Sequence, residues 1–266
     1  RIINDIDCGN SNITEDEARA KGYIKGNLKK EEVFTLLKRS TSPTTVYKKQ
    51  KMDRDDVVDI VDLDVVAWIK KEMRIMLDEE IARAILVGDG RVSSSDDKID
   101  PIHIRPIWTD DDVYTIKANV DLDGMKTKLQ GTDTGANFGE EYIFTEAVIA
   151  AALYAREDYK GKGLPDFFCT PHTLNVMLLA RDLNGRRIYD SAADLAKILN
   201  VGAIHTVEQM EGLTRTDDGG KEHELLGLFV NMSNYTFGCA KGGEITNFED
   251  FDIDFNQYKY MMETRL

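Results

Sequence analysis

The stretch DLDVVAWIKKEMRIMLDEEIARAILV, from Asp62 to Val87, decides the fold of this chain. Its apolar residues recur mainly at steps of three and four, which predicts one long amphipathic helix. The buried face of that helix is expected to consist of Val66, Ile69, Met73, Met76, Leu77, Ile81, Ala84 and Val87. Asp62 is the expected N-cap, and Gly88 stands where a helix favours a left-handed residue after its last turn. A helix of about 39 Å, capped at both ends, is typical of a scaffold rather than of an active site.

Composition limits the class of protein. The 266 residues are 42% hydrophobic, which is enough for the core of one large domain or two ordinary ones. They contain no run of eighteen apolar residues and no signal-peptide pattern, so we expect no membrane span and no membrane partner. The formal charge of -14 argues against a general nucleic-acid binder, which would carry a basic face. Three cysteines without metal-ligand spacing indicate a reduced, cytosolic protein. Because the chain begins at Arg1, we expect a processed or truncated piece.

The sequence before the long helix predicts one short helix and one extended segment. Residues 29–39, KKEEVFTLLKR, have the spacing of a short amphipathic helix. Residues 44–62 contain β-branched side chains in rough polar–apolar alternation, which favours an exposed arm or hairpin limb over a buried strand. Charge changes sign along this arm, from three lysines to a run of aspartates that begins at Asp53.

The sequence after the long helix predicts short strands and then a compact alternation of helices and strands. Thr145, Thr170 and Ser191 are the expected N-caps of three helices, and Pro171 occupies a favourable first position. These helices span 146–160, 171–182 and 192–199. The predicted strands lie at 101–108, 112–120, 166–170, 203–207, 224–231 and 234–240. The tail 248–266 is predicted as a half-exposed strand, because Phe251 and its apolar neighbours alternate with acidic residues.

The chain carries no recognisable catalytic or metal-binding pattern. The acidic group from Asp53 to Asp64 lacks the glycine of a calcium loop, and a solvated or partner-facing strip explains it. The four histidines are scattered, so we expect no metal site. Cys169 and His172 could form a nucleophile and base, but Cys169 lies in an apolar strand, which indicates a core residue. The sequence therefore predicts no enzyme, no cofactor and no metal.

Several longer passages occur in a characteristic order from about Thr44 onward. The charged arm TTVYKKQKMDRDD leads into the long helix, which ends in ARAILVGDGR. The passages that follow are FTEAVIAAALYARE, DFFCTPHTLNVMLLARDLNGRRIY, LLGLFVNMSNYTFGCAKGG and FDIDFNQYKYMMETRL. This order resembles that of the major capsid proteins of tailed bacteriophages and prophages, which share the Hong Kong 97 type fold. The specificity of the resemblance lies in the order and spacing of the parts.

The resemblance implies an α+β fold with a long spine helix, a peripheral domain, an inserted axial domain and an extended loop. It assigns 1–58 to the N-terminal segment and extended loop, and 139–233 to the axial domain, whose tip would meet its copies around symmetry axes. Residues 59–138 and 234–266 would form the peripheral domain. The extended loop would contact a neighbouring subunit through Lys48, Lys49, Lys51, Asp53, Asp55 and Asp56. Such rim charges favour register and specificity more than affinity.

The function implied by the resemblance is a structural one. The chain would self-assemble, as hexamers and pentamers, into the icosahedral shell of a virion, formed in the bacterial host cytoplasm. Its implied partners are copies of itself, a scaffolding segment or protein, a protease and a portal, with weak nonspecific contact to packaged DNA. Two alternatives stay open. One is an encapsulin-like nanocompartment shell, and the other is a metal-dependent enzyme that uses the Asp53–Asp64 cluster.

Overall fold

The computed structural model describes residues 6–7, 25–26, 35–36, 40–60, 64–112, 114–130, 138–159, 161–216 and 219–266. The chain divides into two units, residues 1–41 and 42–266. In the first unit, strand β1 (Ile6–Asp7) pairs antiparallel with strand β2 (Thr35–Leu36). The helix predicted over 29–39 is therefore wrong at Thr35 and Leu36, since their backbone bonds go to a partner strand. The other residues of that prediction lie outside the described part.

Helices and strands are mixed in the second unit, in agreement with the predicted α+β class. The described helices are α1 (Arg54–Asp59), α2 (Val65–Leu86), α3 (Leu122–Leu129), α4 (Glu140–Ala155), α5 (Pro171–Leu178) and α6 (Ala192–Leu199). The described strands are β3 (Thr45–Asp53), β4 (Asp166–Cys169), β5 (Ile204–Thr206), β6 (Thr214–Thr216), β7 (Glu222–Glu224), β8 (Gly227–Val230), β9 (Thr246–Asp252) and β10 (Gln257–Arg265). Helix α2 is the long helix that the apolar spacing predicts.

The two ends of α2 are fixed by local bonds. The side chain of Asp64 accepts a hydrogen bond of 3.0 Å from the backbone N–H of Ala67, so Asp64 is the N-cap. The prediction of Asp62 as the cap is corrected by two positions, and Asp62 itself lies outside the described residues. At the other end, the N–H of Gly88 donates to the carbonyl of Arg83 at 3.0 Å. Gly88 has a φ of 90°, the left-handed conformation that its place in the sequence predicts.

Helix α2 buries only a narrow stripe. Ile69, Met73 and Leu77 are almost fully buried and follow one another at steps of four. Val66 and Ile81 are half-buried and pack at the margin of the same core. Met76 is 43% exposed, so its predicted place in the core is wrong. A helix that packs on a flat sheet buries a stripe centred on one row of side chains, and Met76 lies on the flank of that row.

The first core lies between α2 and a three-stranded antiparallel sheet. Strand β10 is central, with β3 on one side and β9 on the other. Val46, Tyr260 and Met262 point from the sheet towards α2, because side chains alternate along a strand, and all three are buried. The opposite face of the sheet is exposed or half-exposed in the described residues, and it carries Lys49 and Lys51.

The predicted single strand at the C-terminus is in fact a hairpin. Strand β9 ends at Asp252, residues 253–256 form a turn, and β10 returns beside β9. The turn follows from local chemistry, since the Asp252 side chain accepts from the backbone N–H of Asp254 at 3.1 Å. Asn256 adopts the left-handed conformation, with a φ of 53°, that a tight return requires.

The second core surrounds a three-stranded mixed sheet. Strand β4 pairs parallel with β5 and antiparallel with β8. Phe167 is buried in the centre and stacks on Phe229, with 4.4 Å between ring centroids. Helices α4, α5 and α6 cover this sheet with Val148, Ile149, Ala152, Met177, Leu195, Ala196 and Leu199. The order of strand, Thr170 cap and Pro171 helix is confirmed, because the Thr170 hydroxyl accepts from the Thr173 N–H at 3.1 Å.

Helix α4 begins earlier than predicted. Its N-cap is Gly139, and Thr145 lies one and a half turns inside the helix, fully buried. The Thr145 hydroxyl donates to the carbonyl of Glu141 at 2.7 Å, so it satisfies itself within the helix and does not cap it. Ser191, by contrast, caps α6 as predicted and also donates to the carboxylate of Asp194 at 2.9 Å.

Three predicted strands are absent from the described residues of 101–108, 112–120 and 234–240. In the first of these segments, the N–H groups of Ile107 and Trp108 donate to carbonyls in the last turn of α2. Those carbonyls have no partner inside the helix, so the segment completes the helix end instead of joining a sheet. A third apolar cluster beside this point joins α2 to β8 through Leu86, Met210, Leu225, Leu228 and Val230.

Candidate assembly surfaces

Strand β3 carries the predicted lysines along one edge of the first sheet. Lys49 and Lys51 are exposed on the face turned away from α2, and Lys48 is half-buried on the other face. The strand pairs with β10 over nine residues, from Thr45 to Asp53. The segment from Thr45 to Asp53 is extended, as predicted, and among the described residues it is an edge strand of the first sheet.

The aspartates that follow β3 form the start of a helix. Asp53 accepts from the backbone N–H of Asp55 at 3.1 Å and thereby caps α1. Asp55 and Asp56 are exposed in the first turn, where carboxylates interact favourably with the helix N-terminus. The extended segment therefore ends at Asp53 and does not continue to the long helix.

The hydrogen bonds between β3 and β10 show which backbone N–H and C=O groups of β3 point away from β10. Thr44 and Leu266 exchange hydrogen bonds of 2.6 and 2.9 Å. Bonded pairs recur at every second residue of an antiparallel ladder, so the even-numbered residues of β3 bond to β10. The odd-numbered residues from Thr45 to Lys51 direct their N–H and C=O groups to the outer side.

Strand β9 forms the opposite edge of the same sheet. The even-numbered residues of β10 bond to β3, so its odd-numbered residues bond to β9. Asp250 lies opposite Lys259, and the even-numbered residues of β9 are therefore the ones that bond to β10. Asn247, Glu249 and Phe251 therefore direct backbone groups outward. The Phe251 N–H also bonds to the Asp250 side chain at 2.9 Å.

The two edges carry opposite charge. Strand β3 has three lysines and one aspartate, for a formal charge of about +2, and β9 has one glutamate and two aspartates, for about -3. Two of the acidic groups are paired within the chain, Glu249 with Lys70 of α2 and Asp252 with Lys259 of β10. The charge of this sheet therefore changes sign from one edge to the other.

The tip of the β9–β10 hairpin exposes large apolar side chains. Ile253 is 83% exposed and Phe255 is 70% exposed. Phe248 and Phe251 are also exposed on β9. Contiguous apolar groups on a charged hairpin are typical of a contact surface. The alternation of Phe and Ile with aspartates in the sequence carries this signal, although it predicts one half-exposed strand rather than a hairpin.

A cleft of about 300 Å³ opens beside β3 and the second half of α2. Its residues include Val46, Tyr47, Lys48, Met76, Leu77, Glu79, Glu80, Arg83, Arg91 and Gln209. Arg91 donates to Glu80 at 2.7 Å and to the buried Asp89 at 3.4 Å. Burial lowers the pKa of Arg91, but Glu80 and Asp89 raise it more, so the net pKa lies above its ordinary value. The GDGR sequence thus forms a helix end held by charge pairs.

No catalytic arrangement emerges at the residues that the sequence singled out. Burial raises the pKa of Cys169 to about 11, which makes it a poor nucleophile, and the His172 side chain is exposed. Asp53 and Asp64 accept backbone bonds at helix starts. Within the described ranges, no group of three or more His, Cys, Asp or Glu residues could hold a metal ion. No helix among the described residues is long and apolar enough to cross a membrane.

Comparison with known proteins gives structural matches at low sequence identity. No protein-family model and no curated protein matches the chain. A chain of Mycobacterium phage Adephagia matches with a TM-score of 0.53 and 10% identity, over 92% of this chain and 71% of that one. A chain from the capsid of a native GTA particle matches with a TM-score of 0.54 and 11% identity, over 93% and 75%. A chain of Mycobacterium phage Cain matches with a TM-score of 0.50 and 10% identity, over 92% and 73%.

These likenesses establish the fold. Each of the three covers more than nine tenths of this chain, so both cores and their connection are included in the match. The chain has the phage capsid fold that its order of passages predicts.

Proposed function

We propose that this chain, which has the phage capsid fold, is the structural subunit of an icosahedral shell that encloses phage DNA. The observation that carries the proposal is the match to a chain from the capsid of a native GTA particle over 93% of the present chain. The role is structural rather than enzymatic, and its place is the virion, after assembly in the bacterial host cytoplasm.

The proposed domain division is supported by the separation of the two cores. Residues 59–138 and 234–266 form the peripheral domain, and the first core draws on α2 and β10 from these ranges. Residues 139–233 form the axial domain, and every member of the second buried core from Val148 to Val201 lies inside it. Residues 1–58 are the N-terminal segment and extended loop, although their last strand, β3, is bonded to β10 and so extends the peripheral sheet.

Self-association into hexamers and pentamers is the central partner relation. The lysines of β3 contact the neighbouring subunit, as the resemblance implies, and the pairing of β3 with β10 holds them on the peripheral sheet. A scaffolding segment or protein, a protease and a portal complete the assembly. The formal charge of -14 suits an inner wall that makes weak, nonspecific contact with packaged DNA.

Electron microscopy of assembled material tests the proposed function. The full-length protein, produced together with the products of neighbouring genes, is expected to form closed shells in negative stain. The shells should contain nuclease-protected DNA when the packaging proteins are present. Only monomers or small oligomers at every protein concentration would contradict the shell function, and shells filled with a cargo enzyme would contradict the DNA-enclosing role.

A charge-reversal variant tests the contribution of the lysines. Lys48→Glu, Lys49→Glu and Lys51→Glu together should leave the fold intact, because Lys49 and Lys51 are exposed, Lys48 is only half-buried, and exposed charges contribute little to stability. Assembly should be impaired, so that the protein stays in the upper fractions of a sucrose gradient and little reaches the band of complete shells. The matched control replaces the same three residues with Arg and should give shells in normal yield. Normal shells from the glutamate variant would count against a role for these lysines.

A further inference from the structure

We propose that the two outer strands of the first sheet, β3 and β9, which pair only with β10 among the described residues, pair with each other between copies of the chain. The basic edge β3 of one copy lies along the acidic edge β9 of the next copy, so that three-stranded sheets continue across the contact. The inference rests on the proposed shell function, because it names the surfaces through which neighbouring copies meet.

Both edges have backbone groups that are available for pairing. On β3, the odd-numbered residues Lys49 and Lys51 direct N–H and C=O groups outward, and on β9 Asn247 and Glu249 do the same. An unpaired edge of this kind is a template for another strand. Addition of a strand to an exposed edge supplies main-chain bonds, while side chains set the specificity.

The charges select the partner edge. Lys49 and Lys51 lie on the sheet face turned away from α2, and the register places Asp250 of β9 on the same face. Pairing of β3 with β9 of another copy therefore brings basic and acidic side chains together on one surface. Pairing of two β3 edges or of two β9 edges would bring like charges together, which is unfavourable across neighbouring strands.

The direction of the strands fixes the type of contact. Strands β3 and β9 both run antiparallel to β10, so they are parallel to each other. A neighbour added beside β9 in the same orientation therefore pairs in parallel, and the contact is head-to-tail rather than twofold symmetric. Head-to-tail contacts close into rings when the rotation per copy allows it. The exposed Phe248 and Phe251 on β9 would be partly covered by the added strand.

Charge reversal with rescue is the first test. Lys49→Glu with Lys51→Glu, and separately Asp250→Lys, should each lower the yield of sedimenting assemblies at least tenfold. The chain that carries all three substitutions should regain assembly, because the side chains at positions 49 and 51 of β3 and at position 250 of β9, which lie on the same sheet face, have then changed sign together. The Lys49→Arg and Lys51→Arg variant is the control and should assemble normally. The urea midpoint of each unassembled variant is measured to verify that the fold is retained.

Disulfide trapping is the second test, and it does not depend on complete shells. In a background of Cys8→Ser and Cys239→Ser, one protein carries Lys51→Cys and another carries Asp250→Cys. Mixing and mild oxidation should give a covalent heterodimer, identified by mass spectrometry of the linked peptides. The control pairs Lys51→Cys with Lys197→Cys, an exposed position on α6, and should give at least tenfold less product.

The results separate the two proposals. Normal wild-type shells combined with a trapping yield at the control level, or with no rescue by the triple variant, would overturn the edge pairing and leave the shell function standing. A trapped heterodimer in a protein that never forms shells would support the edge pairing and count against the shell function.

Discussion

The two cores of residues 42–266 bury their sheets in different ways. In the second core, helices cover β4, and Phe167, Cys169 and Leu195 are almost completely buried. In the first core, one helix covers one face of the sheet with a single stripe of side chains, and every residue of β9 except Asp252 is exposed. Both sheets have two edge strands among the described residues, β5 and β8 in the second core and β3 and β9 in the first. The first sheet also has an exposed face and an apolar hairpin tip, which are features that contact with other copies would use.

The ionisable groups of both regions follow the exposure of their side chains. In the second core, burial and the nearby Glu146 raise the pKa of Tyr189 to about 12, and burial likewise raises the pKa of Tyr260 in the first core. Hydrogen bonds from lysines lower the pKa of Asp252 on the first sheet and of Asp194 on α6. Burial thus acts on the core tyrosines of both regions, and charge pairs act on the carboxylates at their surfaces.

The largest expected effect comes from a charge placed inside the first core. Met73→Asp puts a carboxylate at a fully buried position of α2, and we expect a loss of about 4 kcal/mol or more in the free energy of unfolding. Urea unfolding followed by circular dichroism measures it. Ile75→Asp on the exposed side of the same helix is the control and should change stability by about 0.5 kcal/mol or less. A Met73→Asp protein with the wild-type urea midpoint would show that the stripe does not hold α2 on the sheet.

A smaller effect is expected from a cavity in the second core. Leu195→Ala removes a fully buried side chain of α6 and should cost about 3 kcal/mol. Because the third apolar cluster joins the two cores, we expect one cooperative transition that moves to lower urea concentration. The exposed neighbour Ile198 supplies the control, since Ile198→Ala should have little effect. Two separate transitions, with only one of them displaced, would mean that the cores unfold independently.

The smallest expected effect is a pH dependence of the exposed hairpin. The pKa of Asp252 is lower in the folded chain than in the unfolded one, because of Lys259. Its stabilising contribution is therefore present above the unfolded pKa of about 3.9 and is lost as the pH falls through the folded pKa. Hydrogen exchange of the β9 and β10 amides should become less protected relative to β4 as the pH falls below about 4, after correction for intrinsic rates.

Removal of the lysine isolates that contribution. Lys259→Met should bring the pKa of Asp252 closer to its ordinary value, so the difference in protection between neutral and acidic pH should shrink. A Lys259→Arg variant keeps the charge and should behave like the wild type. An unchanged pH profile in the methionine variant would show that Lys259 does not stabilise the hairpin.

The predictions from the sequence were correct where the structure depends on residues that are close together in the chain. The long helix, the left-handed Gly88, the Thr170–Pro171 helix start and the Ser191 cap all follow from residues within about four positions of one another. The errors have a different origin. The segment 101–108 has the composition of a strand, but it bonds to the free carbonyls of α2, and Thr145 has the chemistry of a cap but lies inside a helix.

The same distinction between local and long-range information applies to the candidate assembly surfaces. The sequence by itself determined the long helix, the order of the elements and the charge change from lysines to aspartates, because periodicity, capping and composition are local properties of a chain. Only the tertiary structure decided that β3 is bonded to β10 from the far end of the chain, and that β9 forms the opposite, acidic edge. Strand pairing joins residues that are distant in sequence, and no local pattern specifies which partner a strand will meet.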